Sequence, residues 1–289
     1  MLRQIILSII ILFSLLRPAL AAPNTPLLFI ELWNNAAFYD TNIEKKSFSS
    51  ILGRFEGKVG LNVLDLPMQV YGVYYGVSSQ TNDYWDNYLH SGAGVRIMPL
   101  REFKSETWTT QWLKGVKIYA ETLSASYLKY SATAESLAKT DLRYGVEVWH
   151  TWNTIEPTRA LPWGELWMNL SLRQSNFGWT GDQGFADYVF SFQPKVGLHL
   201  REGIGVYLRT DITTSGKSGA DYYFLNVADY GVGIRFEPWQ NIGNKNDLFR
   251  NFKMYAEVLG VSYLKEKPAD PVKTVTSDVR LGVEFSYGR

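Results

Sequence analysis

The chain has 289 residues, no cysteine and a formal net charge of +1, with 29 Lys and Arg against 28 Asp and Glu. This balance gives no reason to expect nucleic acid or a strongly charged surface as a partner. Without cysteine, an exported protein of this kind has no disulfides and depends on its sheet for stability. The 18 Tyr and 10 Trp are typical of a membrane interface, although carbohydrate-binding proteins share this composition.

The first 21 residues predict a secretory signal peptide. Arg3 precedes an apolar run from Ile5 to Leu16, and Ala19-Leu20-Ala21 follows as a cleavage pattern of small residues. The apolar run has 12 residues, whereas a helix that spans a membrane needs roughly 20. An uncleaved anchor is the alternative interpretation. We therefore expect a signal peptide at 1–21, a mature domain at 22–289 and no transmembrane helix.

In chain order, the mature sequence alternates between segments of strand character and turn-rich connections. In the last strand, charged residues and glycine occupy one face and apolar residues the other, with Asp278, Arg280, Gly282 and Glu284 against Val279, Leu281, Val283, Phe285 and Tyr287. The predicted strands cover residues 28–40, 51–64, 68–79, 88–99, 112–129, 140–153, 164–175, 187–200, 203–213, 223–237, 250–265 and 276–287.

The twelve predicted strands form two similar sets of six, offset by about 137 positions. Lys58-Val59-Gly60-Leu61 returns as Lys195-Val196-Gly197-Leu198, and Tyr119-Ala120-Glu121 returns as Tyr255-Ala256-Glu257. A period of this length lies outside the range of about 20 to 50 residues that solenoids and propellers use. The sequence therefore predicts two repeat halves of one closed sheet, at about 28–153 and 164–287.

Alternation alone does not separate a membrane barrel from a soluble β-sandwich, because both have one apolar and one polar face. Three features favour the barrel: an even strand number, a predicted signal peptide before a cysteine-free chain, and predicted strands of about 10 to 14 residues, against about 5 or 6 in globular proteins. Outer-membrane barrels cross lipid with strands of about 9 to 11 residues. The sequence thus predicts an all-β fold, a 12-stranded antiparallel transmembrane β-barrel in the bacterial outer membrane, with membrane lipid as its partner.

The inward face of this barrel is predicted to carry charged side chains that recur in both halves. An ion-selective channel needs an excess of one charge sign, whereas cations and carboxylates balance here. Two interpretations stay open: a salt-bridge lattice that fills the interior, or a pore for a hydrated neutral solute such as a sugar polymer. The predicted lumen residues are Glu31, Lys58, Arg96, Lys117, Glu121, Asp141, Arg143, Glu147, Glu165, Lys195, Arg235, Lys253, Glu257, Asp278, Arg280 and Glu284.

Catalytic and cofactor chemistry find little support in the sequence. The histidines are His90, His150 and His199, and none of them recurs in the other half. His90-Ser91 suggests an outer-membrane lipid hydrolase, but adjacent residues of a strand point to opposite faces. A phosphate-binding loop, an HExxH motif and a cysteine metal motif are all absent from the sequence. We therefore predict a protein that is not an enzyme and has no cofactor or metal.

Two segments carry a family resemblance. Gly-Val-Arg-Ile-Met-Pro at 94–99 and its counterpart at 233–238 are each followed by a strand with Tyr-Ala-Glu, and a Trp-rich stretch lies at 163–167. From about residue 90, this order resembles the C-terminal barrel domain of the NfrA-type bacteriophage adsorption and exopolysaccharide secretion proteins. The resemblance implies a conduit or surface component of a polysaccharide secretion system, with polysaccharide and envelope export components as partners. A non-transporting structural or receptor barrel is the alternative.

Overall fold

The computed structural model describes residues 27–43, 46–63, 66–80, 87–100, 112–129, 140–153, 162–175, 185–239, 251–267 and 275–288. The predicted signal peptide lies outside these residues. A 3-10 helix, Ala220–Leu225, precedes the tenth strand. The strands are β1 (Leu28–Ile43), β2 (Lys46–Val63), β3 (Met68–Ser79), β4 (Tyr88–Ile97), β5 (Val116–Tyr127), β6 (Thr140–Trp152), β7 (Pro162–Ser175), β8 (Phe185–Arg201), β9 (Ile204–Ser215), β10 (Val227–Phe236), β11 (Phe252–Tyr263) and β12 (Val275–Gly288).

These strands form one closed antiparallel barrel. Each strand pairs with its neighbours in the chain, and β1 closes the ring against β12, with Glu31 opposite Gly288. Closure satisfies the N–H and C=O groups that the edges of an open sheet would leave unpaired in lipid. The predicted 12-stranded antiparallel barrel is confirmed. We call the end where β1 begins and β12 ends the proximal end, and the opposite end the distal end.

The strand boundaries differ from the prediction by more than two residues in three places. β1 and β2 continue through 41–43 and 46–50, where the sequence predicts a loop, and Ile43 lies opposite Lys46. This stretch is rich in Ser and Thr, which suit turns as well as strands, so composition could not decide between them. The fifth strand begins at Val116 because residues 112–114 are helical, and the tenth begins at Val227 because a 3-10 helix precedes it.

The outer surface of the barrel is apolar. Large hydrophobic side chains are exposed at alternate positions of the strands, among them Leu208 (65% exposed), Leu172 and Val258 (each 57%). Exposure of this apolar surface to water would be unfavourable, whereas contact with the hydrocarbon of a membrane is not. No helix in the described part of the chain is long and apolar enough to span a membrane.

Aromatic side chains cluster outside the barrel at the proximal end. The ring of Trp112 lies 4.6 Å from the ring of His150 and 6.4 Å from that of Trp152, measured between centroids. His150 and Trp152 occupy the same face of β6 as the exposed Tyr144 and Val146. Rings at this level suit the boundary between hydrocarbon and headgroups, where one end of the ring is apolar and the other wet.

In the described part of the chain, the interior of the barrel is largely polar, and one small apolar cluster lies within it. Phe29, Tyr71, Val73 and Leu123 pack together, with Tyr75 at the edge of the cluster. Many charged side chains are more deeply buried than the outward Leu and Val residues, which is the reverse of a soluble protein. Because they are buried, these charged groups depend on other side chains of the lumen as partners.

Candidate functional site: the cross-linked lumen

All the predicted lumen residues lie on strands. Apart from Trp149, which shares their face on β6, the exposed apolar side chains of these strands lie on the opposite face. Neighbouring strands are joined by backbone hydrogen bonds, whereas side-chain contacts between strands that are not neighbours cross part of the lumen. Such contacts are numerous, and two networks of them contain most of the predicted lumen residues. The first network consists of Glu31, Lys58, Arg96, Lys117, Glu121 and Glu147, and the second network consists of Glu165, Lys195, Arg235, Lys253 and Glu284.

Arg96 anchors the proximal part of the first network. Its guanidinium on β4 donates two hydrogen bonds to the Glu31 carboxylate on β1, at 2.8 and 2.6 Å. This two-point pairing is the strongest geometry available to an arginine and a carboxylate. Lys117 Nζ lies 3.7 Å from both Glu31 and Glu147, so that one cation joins strands β1, β5 and β6.

Lys58 holds the centre of the first network. Its Nζ on β2 lies 3.7 Å from Glu121 on β5 and 3.9 Å from Glu147 on β6. Tyr71 and Tyr75 on β3 donate hydrogen bonds to Glu121, at 3.0 and 3.1 Å. The side chain of Glu121 is only 2% exposed, so its charge depends wholly on these partners.

The second network is centred on a carboxylate. Glu165 on β7 accepts hydrogen bonds from Arg235 on β10 at 2.8 Å and from Lys253 on β11 at 2.6 Å. Lys195 Nζ lies 4.0 Å from Glu165 and 3.8 Å from Glu284 on β12. Lys253 Nζ also lies 3.9 Å from Glu284. Three cations thus surround two carboxylates that come from β7 and β12.

Towards the distal end, each arginine of β6 and β12 pairs within its own strand. Arg143 Nε donates to Asp141 at 2.7 Å, and Arg280 Nε donates to Asp278 at 2.5 Å. Arg280 also reaches Asp229 on β10, at 2.7 Å. Carboxylate and guanidinium two residues apart lie on the same face of a strand, so this pairing follows from strand geometry.

A further distal cluster surrounds Arg209 on β9. Its Nη1 donates to both oxygens of Glu257 on β11, at 2.8 and 2.7 Å, and its guanidinium pairs with Asp211 on its own strand. Tyr207 donates to Glu257 at 2.7 Å. Asp211 lies 3.9 Å from Arg280, which joins this cluster to β12.

Two pairs, each of one tyrosine and one asparagine, link further strands that are not neighbours. Tyr119 on β5 and Asn169 on β7 exchange hydrogen bonds at 2.9 and 3.1 Å, and Tyr255 on β11 and Asn35 on β1 do so at 2.7 and 3.1 Å. Each pair bridges over the strand that lies between its members. The lumen is therefore crossed by neutral as well as ionic contacts.

Sequence reasoning missed several members of these clusters. Arg209, Asp211 and Asp229 do not recur in the other half, so the repetition of charges does not identify them. Tyr71 and Tyr207 do recur, but they carry no charge. The alternation within β9, where Arg209 and Asp211 share one face, is a signal that could have found two of them.

The histidines take up separate positions. His90 lies inside the barrel with Nδ1 3.5 Å from Arg143 Nη2, whereas His150 packs against Trp112 and His199 against Trp163. Within the described residues, no group of three or more His, Asp or Glu side chains is placed to hold a metal ion.

No protein-family model and no curated protein sequence matches the chain. Among solved structures, the barrel is similar to the NanC porin, with 10% identity, coverage of 88% of this chain and 98% of that chain, and a TM-score of 0.42. The KdgM porin matches with 9% identity, coverage of 89% and 99%, and a TM-score of 0.37. The translocator domain of the autotransporter NalP from Neisseria meningitidis matches with 10% identity, coverage of 95% and 93%, and a TM-score of 0.35.

A closed antiparallel barrel with an apolar outer surface and a polar interior is the architecture with which β-proteins span outer membranes. The chain has each of these features. It is an outer-membrane β-barrel.

Proposed function

We propose that the protein is a non-transporting structural or receptor barrel of the outer membrane, with a lumen closed by its own side chains. The observation that carries this proposal is the set of buried ion pairs between strands that are not neighbours, such as Arg96 with Glu31 and Arg235 with Glu165. Both arginines are almost fully buried, at 2% and 4% exposure. A hydrated polymer could pass only after these pairs had separated, which would leave buried charges without partners.

The resemblance to NfrA-type adsorption proteins supports a receptor role, in which the surface of the barrel is recognised from outside. In such a role the lumen needs only to hold the barrel rigid. The interior contacts then serve to fix the strands, and recognition belongs to the distal connections between them.

We also propose that the two sets of strands are repeats of one six-stranded unit. Contacts at corresponding positions support this proposal. Tyr71 donates to Glu121 at 3.0 Å, and Tyr207 donates to Glu257 at 2.7 Å. Lys129 Nζ donates to the Ser79 carbonyl at 2.8 Å, and Lys265 Nζ donates to the Ser215 carbonyl at 2.5 Å.

A second candidate function is a conduit for a polysaccharide, with the lumen as its path. This candidate is favoured by the partial exposure of inward side chains, namely 35% for Glu31, 39% for Glu56 and 45% for Trp149. Balanced charges and an exposed indole ring suit a neutral, hydrated sugar chain. Passage of a polymer would require the networks to rearrange.

Conductance in a planar bilayer separates the two candidates. We expect the protein to be electrically silent or to pass only a small current that sugar polymer does not block. The double variant Arg96→Ser with Glu31→Ser removes a whole ion pair without leaving either charge alone, and it should increase the conductance. The exposed double variant Lys267→Ser with Glu266→Ser is the control and should leave the conductance unchanged. A large current through the unaltered protein that sugar polymer blocks would overturn the closed-lumen proposal.

A further inference from the structure

Two places at the proximal end, one in each set of strands, have the same strand pairing around an arginine but carry different side chains beside it. On β2 to β4, Asn62 lies opposite Gln69, and Gln69 lies opposite Arg96. On β8 to β10, His199 lies opposite Gly205, and Gly205 lies opposite Arg235. The register is therefore the same, and glycine stands where the other set has glutamine.

Between β2 and β4, the side-chain amide of Gln69 makes hydrogen bonds to the polar groups on both sides of it. Arg96 Nε donates to Gln69 Oε1, and Gln69 Nε2 donates to Asn62 Oδ1 at 2.7 Å. The remaining guanidinium nitrogens of Arg96 bind Glu31. A neutral carboxamide thus completes the hydrogen bonds of this cluster, by accepting on one side and donating on the other.

Between β8 and β10, the corresponding polar atoms have no such amide as a partner. Arg235 Nη1 binds Glu165, but Arg235 Nη2, Trp163 Nε1 and His199 Nε2 are buried and make no hydrogen bond within the described part of the chain. Arg235 Nε lies 2.8 Å from Glu237 Oε1, yet neither atom has hydrogen-bonding geometry. Buried polar groups are nearly always paired, so several unpaired ones together indicate a partner from outside the chain, either ordered water or a ligand.

The residues that carry these atoms pack around Gly205. A Cβ atom on this glycine would lie 3.4 Å from Trp163 Nε1 and 3.7 Å from Arg235 Cγ, which is ordinary contact distance. The Arg235 guanidinium carbon lies 3.4 Å from the centroid of the Trp163 ring, and the His199 ring lies 5.9 Å from that ring. Trp163, His199 and Arg235 are 0%, 5% and 4% exposed, so the three side chains are buried together beside this glycine.

The charges around the site favour a neutral ligand. Arg235 is already paired with Glu165, and Glu237 brings a further carboxyl group. Burial raises the pKa of Glu237, and the nearby Arg235 guanidinium opposes this shift. An anionic ligand would meet the Glu237 carboxyl, whereas an amide supplies the oxygen that Arg235 and Trp163 need and an N–H for the acceptor atoms.

We propose that Trp163, His199, Gly205 and Arg235 form a binding site at the proximal end for a neutral carboxamide, such as the acetamido group of an N-acetylated amino sugar. The amide oxygen accepts from Arg235 Nη2 and Trp163 Nε1, and the amide N–H donates to His199 Nε2. The bound amide takes the place that the Gln69 side chain holds between β2 and β4. The site goes beyond the proposed function, since it requires no transport.

The test uses the full barrel in detergent micelles with 15N-labelled tryptophan indoles. The variant Trp163→Phe assigns the Trp163 resonance. Phenylalanine is chosen because Phe29 occupies the corresponding position in the other set of strands. We expect acetamide and N-acetylglucosamine to shift this resonance in a saturable way, and glucose to leave it unchanged. Gly205→Gln should abolish the shift, because its own side chain then occupies the site.

Arg235→Lys provides a second variant that does not depend on the folding of Gly205→Gln. It keeps the charge beside Glu165 but removes the Nη2 donor, and we expect the acetamide affinity to fall at least about tenfold, the equivalent of about 1.4 kcal/mol. The absence of any saturable shift in the folded unaltered protein would overturn the proposal. An equal response to glucose, or an unchanged titration in folded Gly205→Gln, would overturn it as well. None of these outcomes depends on the conductance of the lumen.

Discussion

At the scale of single residues, the protein depends on buried charged side chains that have few other groups to pair with. Lys58 is 7% exposed and lies within 4 Å of three carboxylates, on Glu56, Glu121 and Glu147. A buried ion pair adds little net stability relative to an apolar pair of the same shape, but removing one partner is costly. The role of such residues is therefore clearest when one of them is replaced.

Lys58→Met should destabilise the folded barrel by about 3–5 kcal/mol, because it leaves Glu121 and Glu147 without their shared cation. The urea midpoint of unfolding in lipid vesicles measures this change. Lys267→Met, at an exposed position beyond β11, is the matched control and should shift the midpoint little. Equal midpoints for the two variants would show that the first network does not stabilise the barrel.

At the scale of strands, glycine sets how closely the chains of the sheet approach one another. A Cβ atom on Gly92 of β4 would lie 1.9 Å from the Thr122 carbonyl oxygen of β5, far inside contact distance. On Gly72 of β3 the nearest atoms would be 3.9 Å away. Both glycines lie within the sheet, but only Gly72 has space for a methyl group.

Gly92→Ala should destabilise the barrel by about 1–3 kcal/mol, because β4 and β5 must move apart to admit the methyl group. Gly72→Ala has the room that Gly92 lacks and should be nearly neutral. The two variants are compared by the fraction of protein that refolds into vesicles. This fraction is measured on gels, where folded barrels change mobility on heating. A refolding defect of the same size in both variants would contradict the geometric argument.

At the scale of the whole molecule, the apolar outer surface determines where the barrel resides. Leu208, near the middle of β9, is 65% exposed, and Leu66, in the connection before β3, is 54% exposed. The two leucines have similar exposure, but Leu208 lies on the wall of the barrel and Leu66 at its proximal end. Lipid and water should therefore be their respective surroundings.

Leu208→Arg should reduce the stability of the membrane-inserted barrel by about 2–4 kcal/mol, the cost of an arginine near the bilayer midplane. Leu66→Arg should cost only about 0–1 kcal/mol, as expected near an interface. Unfolding by denaturant from lipid vesicles measures both. If the two substitutions had the same effect, the outer surface would not be in contact with hydrocarbon as described.

Much of the barrel could be predicted from local pattern, but the lumen could not. Residues such as Asp278 and Arg280 alternate with apolar neighbours, and this alternation identified both the strand and its inward face. Two of the three carboxylates near Lys58 come from β5 and β6, more than 60 positions along the chain, and no local signal indicates that the lysine reaches them. The sequence predicts a start of β5 at residue 112, whereas the strand begins at Val116, because residues 112–114, Trp-Leu-Lys, suit a strand as well as a helical turn.

The sequence by itself determined the strand pattern and the polarity of each face, because alternation with a period of two is a property of each segment alone. The even strand number and the long strands favoured a closed barrel over a sandwich. Only the tertiary structure decided which charges meet across the lumen, and that Gly205 leaves Arg235 and Trp163 without the amide that Gln69 supplies between β2 and β4. These contacts depend on the register of every strand and on the curvature of the closed sheet. Both arise only when the whole ring has formed.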